Sequence, residues 1–322
     1  MATLNRSSKI EDPGTGVLAD RMSPGGGGDR IEEQGMKKFL ITGATGKQGG
    51  SVAKALLQDG CYVRAFTRNS SSENARQLAS LGAEMMVGSL DDIDSVRKAV
   101  KGVDGVFSVQ NYWEPTTGYN GEIRQAMNLA EAAMDAGVAH FIQSTMATAD
   151  HFVGVRHFQS KRQIEQRLDA MRIRHTLLGT VYFMENLLDP KMGGKMTFPA
   201  LSGTLHKNTA LHLLSSEDIG IAVREIFFAP DRFLGQRVNL AGDQLTVPEM
   251  KRTYQHVTGK SPKWFSVPTF CLRFLAKEFA QQLAWHNRTN FQFSVADSRV
   301  LFPHLQSFEA FLQAHRNELA GL

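Results

Sequence analysis

Between the apolar run Phe39-Leu40-Ile41 and a segment with helical spacing lies Gly43-Ala44-Thr45-Gly46-Lys47-Gln48-Gly49-Gly50. Gly43, Gly46 and Gly49 recur at every third position. A tight turn from strand to helix needs one glycine. Further glycines at this interval strip away side chains, so that backbone N–H groups approach a ligand closely. The N-terminus of the following helix adds positive potential, which suits an anionic group such as a pyrophosphate. A strand feeding a helix in this way also demands a crossover to a parallel neighbour.

The downstream pattern repeats that unit. Strand-like runs at Lys38–Thr42, Tyr62–Thr67, Glu84–Val87, Asp104–Val109, His140–Ser144 and Arg174–Leu178 alternate with helical runs. The helices are expected over Gly49–Gln58, Ala75–Leu81, Asp91–Val100, Gly121–Ala136 and Val155–Met171. Short buried strands alternating with helices of several turns predict an α/β fold, a doubly wound parallel sheet of Rossmann-like type. Past Tyr182 the rhythm breaks at Gly193-Gly194, Pro199, Gly203, Pro230 and Pro248. Ser215 or Ser216 is expected to cap a helix through Phe228, and Thr246 one that begins near Pro248. The expected organisation is a disordered tail over 1–35, a nucleotide-binding domain over 36–180, and a smaller C-terminal substrate or regulatory lobe over 181–322. Some segments of that lobe are expected to return to the sheet. The tail earns its reading from Pro13-Gly14 and Pro24-Gly25-Gly26-Gly27-Gly28, which cannot bury enough apolar surface to offset ordering.

A formal charge of +4 over 322 residues, without a basic block, argues against nucleic-acid binding and suits a small anionic ligand. Cys61 and Cys271 are too few for a disulfide framework and too isolated for zinc, so both are expected in the core. His151, His206 and His212 lack ligand spacing, and no metal site is expected. Asp91-Asp92 and Glu217-Asp218 read as first-turn helix charges rather than catalytic carboxylates. The apolar stretch Thr176–Leu188 is broken by Glu185 and Asn186, so no membrane span is expected. Glu11, Asp12, Asp20 and Asp29 are foreign to a mitochondrial presequence, which leaves the cytoplasm as the expected location.

The end of the second strand selects the cofactor. NAD sites place an Asp or Glu there for the ribose hydroxyls. This chain has Thr67-Arg68-Asn69-Ser70 instead. Arg68 offers a planar cation for a 2′-phosphate and for stacking on adenine, and Lys47 adds a second charge. NADP(H) is therefore expected over NAD(H). Gly43, Thr45, Gly46, Lys47, Gln48 and Gly49 form the expected cradle. Ser89 and Leu90, after the third strand, are expected beside the adenine. Ser108, Val109 and Gln110 end the fourth strand and should line the cofactor's centre, since ligands bind at the carboxyl ends of such strands.

Five blocks in order carry a family resemblance: Ile41-Thr42-Gly43-Ala44-Thr45-Gly46-Lys47-Gln48-Gly49-Gly50, Thr67-Arg68-Asn69, Asn111-Tyr112-Trp113, His157-Phe158-Gln159-Ser160-Lys161 and Tyr182-Phe183-Met184-Glu185-Asn186-Leu187. From about Lys37 to the C-terminus the chain resembles the NmrA-like family, atypical members of the short-chain dehydrogenase/reductase superfamily. The resemblance implies an NADP-binding Rossmann domain with a small C-terminal lobe closing over the nicotinamide. Two positions depart from the family's pattern. Gly179-Thr180 stands where Arg-Pro is frequent, and Ser89 where Asp is common.

Hydride-transferring members of the superfamily carry a Tyr and a Lys four residues apart on one helix. Here the resemblance assigns Lys161 to the nicotinamide ribose, with His157 at the Tyr position. An imidazole titrates near neutrality and is a candidate acid, as is Tyr182 or Tyr112. Ser144 falls where the superfamily places a serine that hydrogen-bonds the substrate carbonyl. Two readings follow. One is an NADPH-dependent reductase of a small carbonyl, imine or enone. The alternative is a non-catalytic redox sensor that reports NADPH or NADP to a protein partner. The missing Tyr favours sensing. Lys161, Ser144 and the aromatic blocks favour chemistry, and the balance tips to the reductase. The subunit number is left open.

Overall fold

The computed structural model describes residues 36–147, 154–188, 194–261, 277–289 and 291–319. The expected tail over 1–35, together with His151 and Cys271, lies outside these residues.

Strand β1 (Lys38–Ile41) runs into the glycine turn and then α1 (Lys47–Gln58). Helix α1 buries Gly49, Val52, Ala53, Ala55 and Leu56, the stripe that faces the sheet. β2 (Tyr62–Thr67), α2 (Glu73–Ser80), β3 (Glu84–Val87), α3 (Ile93–Val100) and β4 (Gly105–Ser108) follow. Ser72 caps α2 and Asp92 caps α3 through their side-chain oxygens. Next come α4 (Gly118–Asp135), β5 (His140–Met146), α5 (Arg156–Met171) and β6 (His175–Thr180). Every residue of β4, β5 and β6 is buried, as strands covered by helices on both faces must be.

Strands pair in the order β3-β2-β1-β4-β5-β6-β9, all parallel, where β9 (Arg237–Asn239) comes from far along the chain. The order reverses between β1 and β4, so a crevice opens beyond their carboxyl ends. α3, α4 and α5 cover one face over Leu40, Phe66, Val106 and Phe141. On the other face α1 packs with α7 (Ser216–Phe228) over Ile41, Phe107 and Ile142.

A second sheet joins β7 (Tyr182–Phe183) parallel to β8 (Ala210–Leu214), and β8 antiparallel to β10 (Asp243–Thr246). α6 (Gly194–Thr204) precedes β8, and α8 (Pro230–Phe233) follows α7. α9 (Val247–Thr258) follows β10, and α10 (Lys277–His286) precedes α11 (Val295–Leu301) and α12 (Phe308–Ala314). This sheet has its own core of Leu211, Leu213, Met250, Tyr254, Phe308 and Phe311.

The caps fall as the sequence suggests. Ser215 Oγ accepts from Glu217 N–H at 3.3 Å, and Thr246 with Glu249 forms a full capping box. Cys61 is buried. Element ends differ by a few residues. Strand β6 continues past Leu178 to Thr180 because Gly179 and Thr180 pair with Thr145 and Met146. Asp91 lies outside α3. Its carboxylate accepts instead from Arg124 Nη2 at 2.6 Å and Gln125 Nε2 at 2.8 Å, tying the loop to α4.

Candidate functional site

The glycine turn lies directly over the strand ends at the reversal of strand order. Gly43 adopts φ +57°, and a Cβ there would sit 2.7 Å from Val109 Cγ1. A Cβ on Gly49 would fall 2.5 Å from the Thr42 carbonyl oxygen and run into the Gly43 carbonyl as well. Neither position tolerates a side chain, and at Gly49 the first turn of α1 packs directly on the backbone of the turn. Gly46 N–H donates to Gly43 O at 2.9 Å, which closes the turn.

Two adjoining cavities lie above it. The larger, about 500 Å³, is lined by the whole expected cradle of Gly43, Thr45, Gly46, Lys47, Gln48 and Gly49. Its walls also include Arg68, Val109 and Gln110, together with Ser144, His157, Lys161 and Tyr182. The smaller, about 340 Å³, is lined by Ser89 and Leu90, and it shares Gly43, Thr45, Arg68 and Val109 with the larger. A glycine cradle between two compartments, with a cation at their junction, has the shape and polarity that suit a dinucleotide.

Ser108 is the one expected cofactor residue that lines neither cavity. It is fully buried beneath the floor, where Ser108 Oγ donates to Gln143 Oε1 at 2.8 Å. Gln143 Nε2 donates to Gln110 Oε1 at 3.1 Å, and Gln110 Nε2 returns to Ser108 Oγ at 2.8 Å. This closed ring satisfies three polar side chains under the strand ends. Ser108 pairs directly with Gln143 on β5 in the sheet, and that neighbour gives its hydroxyl an acceptor beneath the groove.

Lys161 stands on α5 with its Nζ 2.8 Å from Glu122 Oε1 of α4. Glu122 is fully buried, and it also accepts from the Ser160 hydroxyl. One turn earlier, His157 packs against Tyr112 and Trp113, with ring centroids 4.6 and 5.2 Å away. Part of its surface opens to the cleft, yet the aromatic enclosure strips water from the ring. That desolvation, reinforced by the Lys161 charge, pushes the imidazole down to about 3. His157 is therefore neutral at physiological pH, and its Nδ1 has no partner among the described residues. Burial likewise raises the phenols of Tyr182 and Tyr112. For Tyr182 a bond to Asn186 partly counters it, while for Tyr112 a bond to Glu278 on α10 adds to it.

Other contacts tie the cradle to the cleft's far walls. Ser144 Oγ donates to Gln48 Oε1 at 2.7 Å, joining the end of β5 to the glycine turn. Lys47 Nζ donates to Asn186 Oδ1 at 3.1 Å, and Lys47 lines the larger cavity rather than the compartment beside Ser89. Arg68 Nη2 meets Glu114 Oε2 at 3.1 Å. Thr145, also in the wall, donates to Glu165 Oε1 at 2.5 Å, and the other oxygen of this buried carboxylate meets Arg237 Nη2 at 2.5 Å. Phe279 and Gln282 of α10 complete the wall.

Glu122, Gln143, Thr145 and Glu114 were not singled out in the sequence. Glu122 had a signal: it occupies the stripe with Ala126, Leu129 and Ala133, where α4 is buried and an acid is out of place. The others had none, because the side chains they meet across the fold lie 20 or more residues away. Glu114 meets Arg68 across 46 positions and Gln143 meets Ser108 across 35.

Fold and cleft together define a Rossmann-type α/β protein whose groove lies at the topological switch point. The chain belongs to the NmrA-like family, whose model matches residues 35–312. It is 30% identical over 250 residues to an NmrA-like family domain-containing oxidoreductase of Aspergillus hancockii, covering 70% of this chain and 74% of that protein. A Dictyostelium discoideum NmrA-like family domain-containing protein is 28% identical over 297 residues, 86% of this chain and 97% of that one. Among solved structures, the negative transcriptional regulator NmrA in complex with NADP superposes with a TM-score of 0.73 at 18% identity, covering 89% of this chain and 98% of that one. The Citrobacter sp. triphenylmethane reductase complexed with NADP(H) gives 0.69 at 20% identity, covering 87% and 100%. Both likenesses are of fold.

Proposed function

We propose that this chain binds NADP(H) along the cleft and reduces a small, mostly apolar carbonyl, imine or enone. The observation that carries the reading is convergence: the glycine cradle, Arg68, the buried Lys161 and a wall of aromatic side chains line one cleft. Bound NADPH supplies a hydride. The cradle's backbone N–H groups hold the pyrophosphate, and the Arg68 guanidinium takes the 2′-phosphate. The Glu122 charge holds the Lys161 ammonium in place, and its N–H groups are donors for the ribose hydroxyls. Ser144, released from Gln48, donates to the oxygen or nitrogen of the substrate's double bond. Tyr112, Trp113, Tyr182 and Phe183 exclude water around it. A neutral donor, the Tyr182 phenol or the His157 imidazole, supplies the proton as negative charge builds up. The named oxidoreductase relatives and the NADP(H)-bound reductase neighbour support this reading.

The test is NADPH oxidation against a panel of carbonyls, imines and enones, with Lys161→Ala beside the parent chain. Turnover that falls at least about 100-fold in the variant, roughly 3 kcal/mol of lost stabilisation, supports the reductase. Turnover undiminished in the variant overturns the role of Lys161. The second reading, a redox sensor, is favoured by one observation: a neutral imidazole stands where the superfamily's catalytic phenol is expected. It prevails if no substrate turns over while NADPH and NADP⁺ differ in their effect on partner binding. The regulator NmrA among the fold neighbours supports this alternative.

A further inference from the structure

The loop after β4 is folded on its own polar groups. Trp113 N–H donates to Asn111 Oδ1 at 3.2 Å, Glu114 N–H to the Asn111 carbonyl at 3.2 Å, and Thr117 N–H to the Glu114 carbonyl at 2.9 Å. These bonds fix Glu114 in the wall of the smaller cavity. Its Oε2 accepts from Arg68 Nη2 and from Asn111 Nδ2, each at 3.1 Å. Arg68 lines both compartments, and Glu114 lines the one that holds Ser89 and Leu90. In the sheet β1 lies between β2 and β4, so an ion pair from the end of β2 to the loop after β4 bridges above the end of β1. That is the place over which the glycine turn presents its cradle.

A guanidinium edge engaged by a carboxylate is not at the same time a phosphate site, and a carboxylate beside a phosphate repels it. Asn111 donates to the same oxygen that Arg68 holds, so the carboxylate keeps a partner when Arg68 leaves it. We propose that Glu114 is a competing ligand for Arg68, a latch that holds one guanidinium nitrogen and so competes with a cofactor's 2′-phosphate. It thereby sets how strongly the cleft prefers NADP(H) to NAD(H). The proposal rests on the reading that Arg68 receives the 2′-phosphate. Both side chains are partly exposed to solvent, so the effect is a matter of several-fold in affinity, not of orders of magnitude.

The experiment titrates the full chain with NADP⁺, NAD⁺, 2′,5′-ADP and 5′-AMP, by calorimetry, in the parent, Glu114→Gln, Arg68→Ala and the double variant. Glu114→Gln is expected to tighten NADP⁺ and 2′,5′-ADP about two- to ten-fold. NAD⁺ and 5′-AMP should stay within about twofold, and the gain should vanish when Arg68 is also removed. Weaker or unchanged NADP⁺ binding in Glu114→Gln, or equal tightening of NAD⁺, overturns the latch. Where only the latch is wrong, Arg68→Ala still weakens NADP⁺ selectively. If Arg68→Ala leaves NADP⁺ unchanged, or the parent chain has no NADP⁺ preference, the underlying cofactor reading falls and takes the latch with it.

Discussion

Lys161 Nζ lies 2.8 Å from Glu122 Oε1, an ion pair between adjacent helices α4 and α5 that is almost closed to solvent on both sides. Such a pair is costly to break from one side, because the partner left behind is a buried, uncompensated charge. Lys161 therefore holds a structural duty together with its proposed place at the ribose.

Lys161→Ala is expected to lower stability by about 3–5 kcal/mol, read from urea unfolding. Replacing the pair together, Lys161→Met with Glu122→Leu, should recover most of that loss while leaving cofactor-dependent turnover absent. A double variant no more stable than the single would show that the pair itself is not the source of the cost. The double variant is also the control for the activity test, since it removes the ammonium without stranding the carboxylate.

Gly49→Ala should disturb the cradle where a change at Gly60 does not. The added methyl runs into the backbone of Gly43 and Thr42, and no flexible side chain is there to yield. A cost of about 1–3 kcal/mol is expected from overpacking, together with at least about tenfold weaker cofactor binding. Gly60→Ala meets nothing within 4 Å but must hold φ +74°, so about 1 kcal/mol is expected, with cofactor binding unchanged. Comparable cofactor affinities in the two variants would refute the close-approach argument.

Ser108→Ala separates burial from binding. It leaves Gln143 Oε1 without the Ser108 donor and Gln110 Nε2 without its acceptor, at a cost of about 1–3 kcal/mol. Because Ser108 lies beneath the groove and not in its wall, NADP(H) affinity should change less than about twofold. A large loss of affinity at unchanged stability would return Ser108 to the cofactor's surface.

Acid should destabilise the chain through its buried imidazoles. Desolvation is the main cause in each of His140, His157 and His286, assisted by Arg174, Lys161 and His212 respectively. Their folded-state values fall from 6.5 to about 4, about 3 and about 3. The unfolded chain takes up these protons near pH 6.5 and the folded chain does not. Their contribution is therefore complete above 6.5 and is lost as pH falls toward the folded values. Asp218 acts in the opposite sense. Burial raises it from 3.8 to about 6, so its contribution is present below 3.8 and is lost as pH rises through 6. These three imidazoles, joined by His212, which burial also lowers, outweigh Asp218 and give a net fall in the urea midpoint between pH 6.5 and 4. A flat or rising midpoint in that window would contradict the burial assigned to the imidazoles.

Local pattern was enough for strands β1 to β6 and the main turn, whereas it did not place β9. Apolar strand runs, helix caps at Ser215 and Thr246, and glycines where no Cβ fits are short-range signals, and each points to the same element. The cradle residues, Arg68 at the end of β2, and the pairing of His157 with Lys161 on one helical face are legible for that reason. They depend on spacing along one element or on the fixed order of strand ends.

What the tertiary structure alone decided is what each of those side chains faces. Ser108 turned into a polar ring because Gln143, on a strand it meets only through the sheet, offered it an acceptor. Lys161 acquired a buried counter-ion from α4, and His157 lost its charge to an aromatic enclosure built by the loop after β4. Arg68 found Glu114 across the end of β1. The sequence by itself determined the scaffold and the location of the cleft, because backbone conformation and burial pattern are set by neighbours a few residues away. Charge state and bonding partner in the cleft were decided by packing between distant segments, because desolvation and ion pairing depend on what lies within a few ångströms in space.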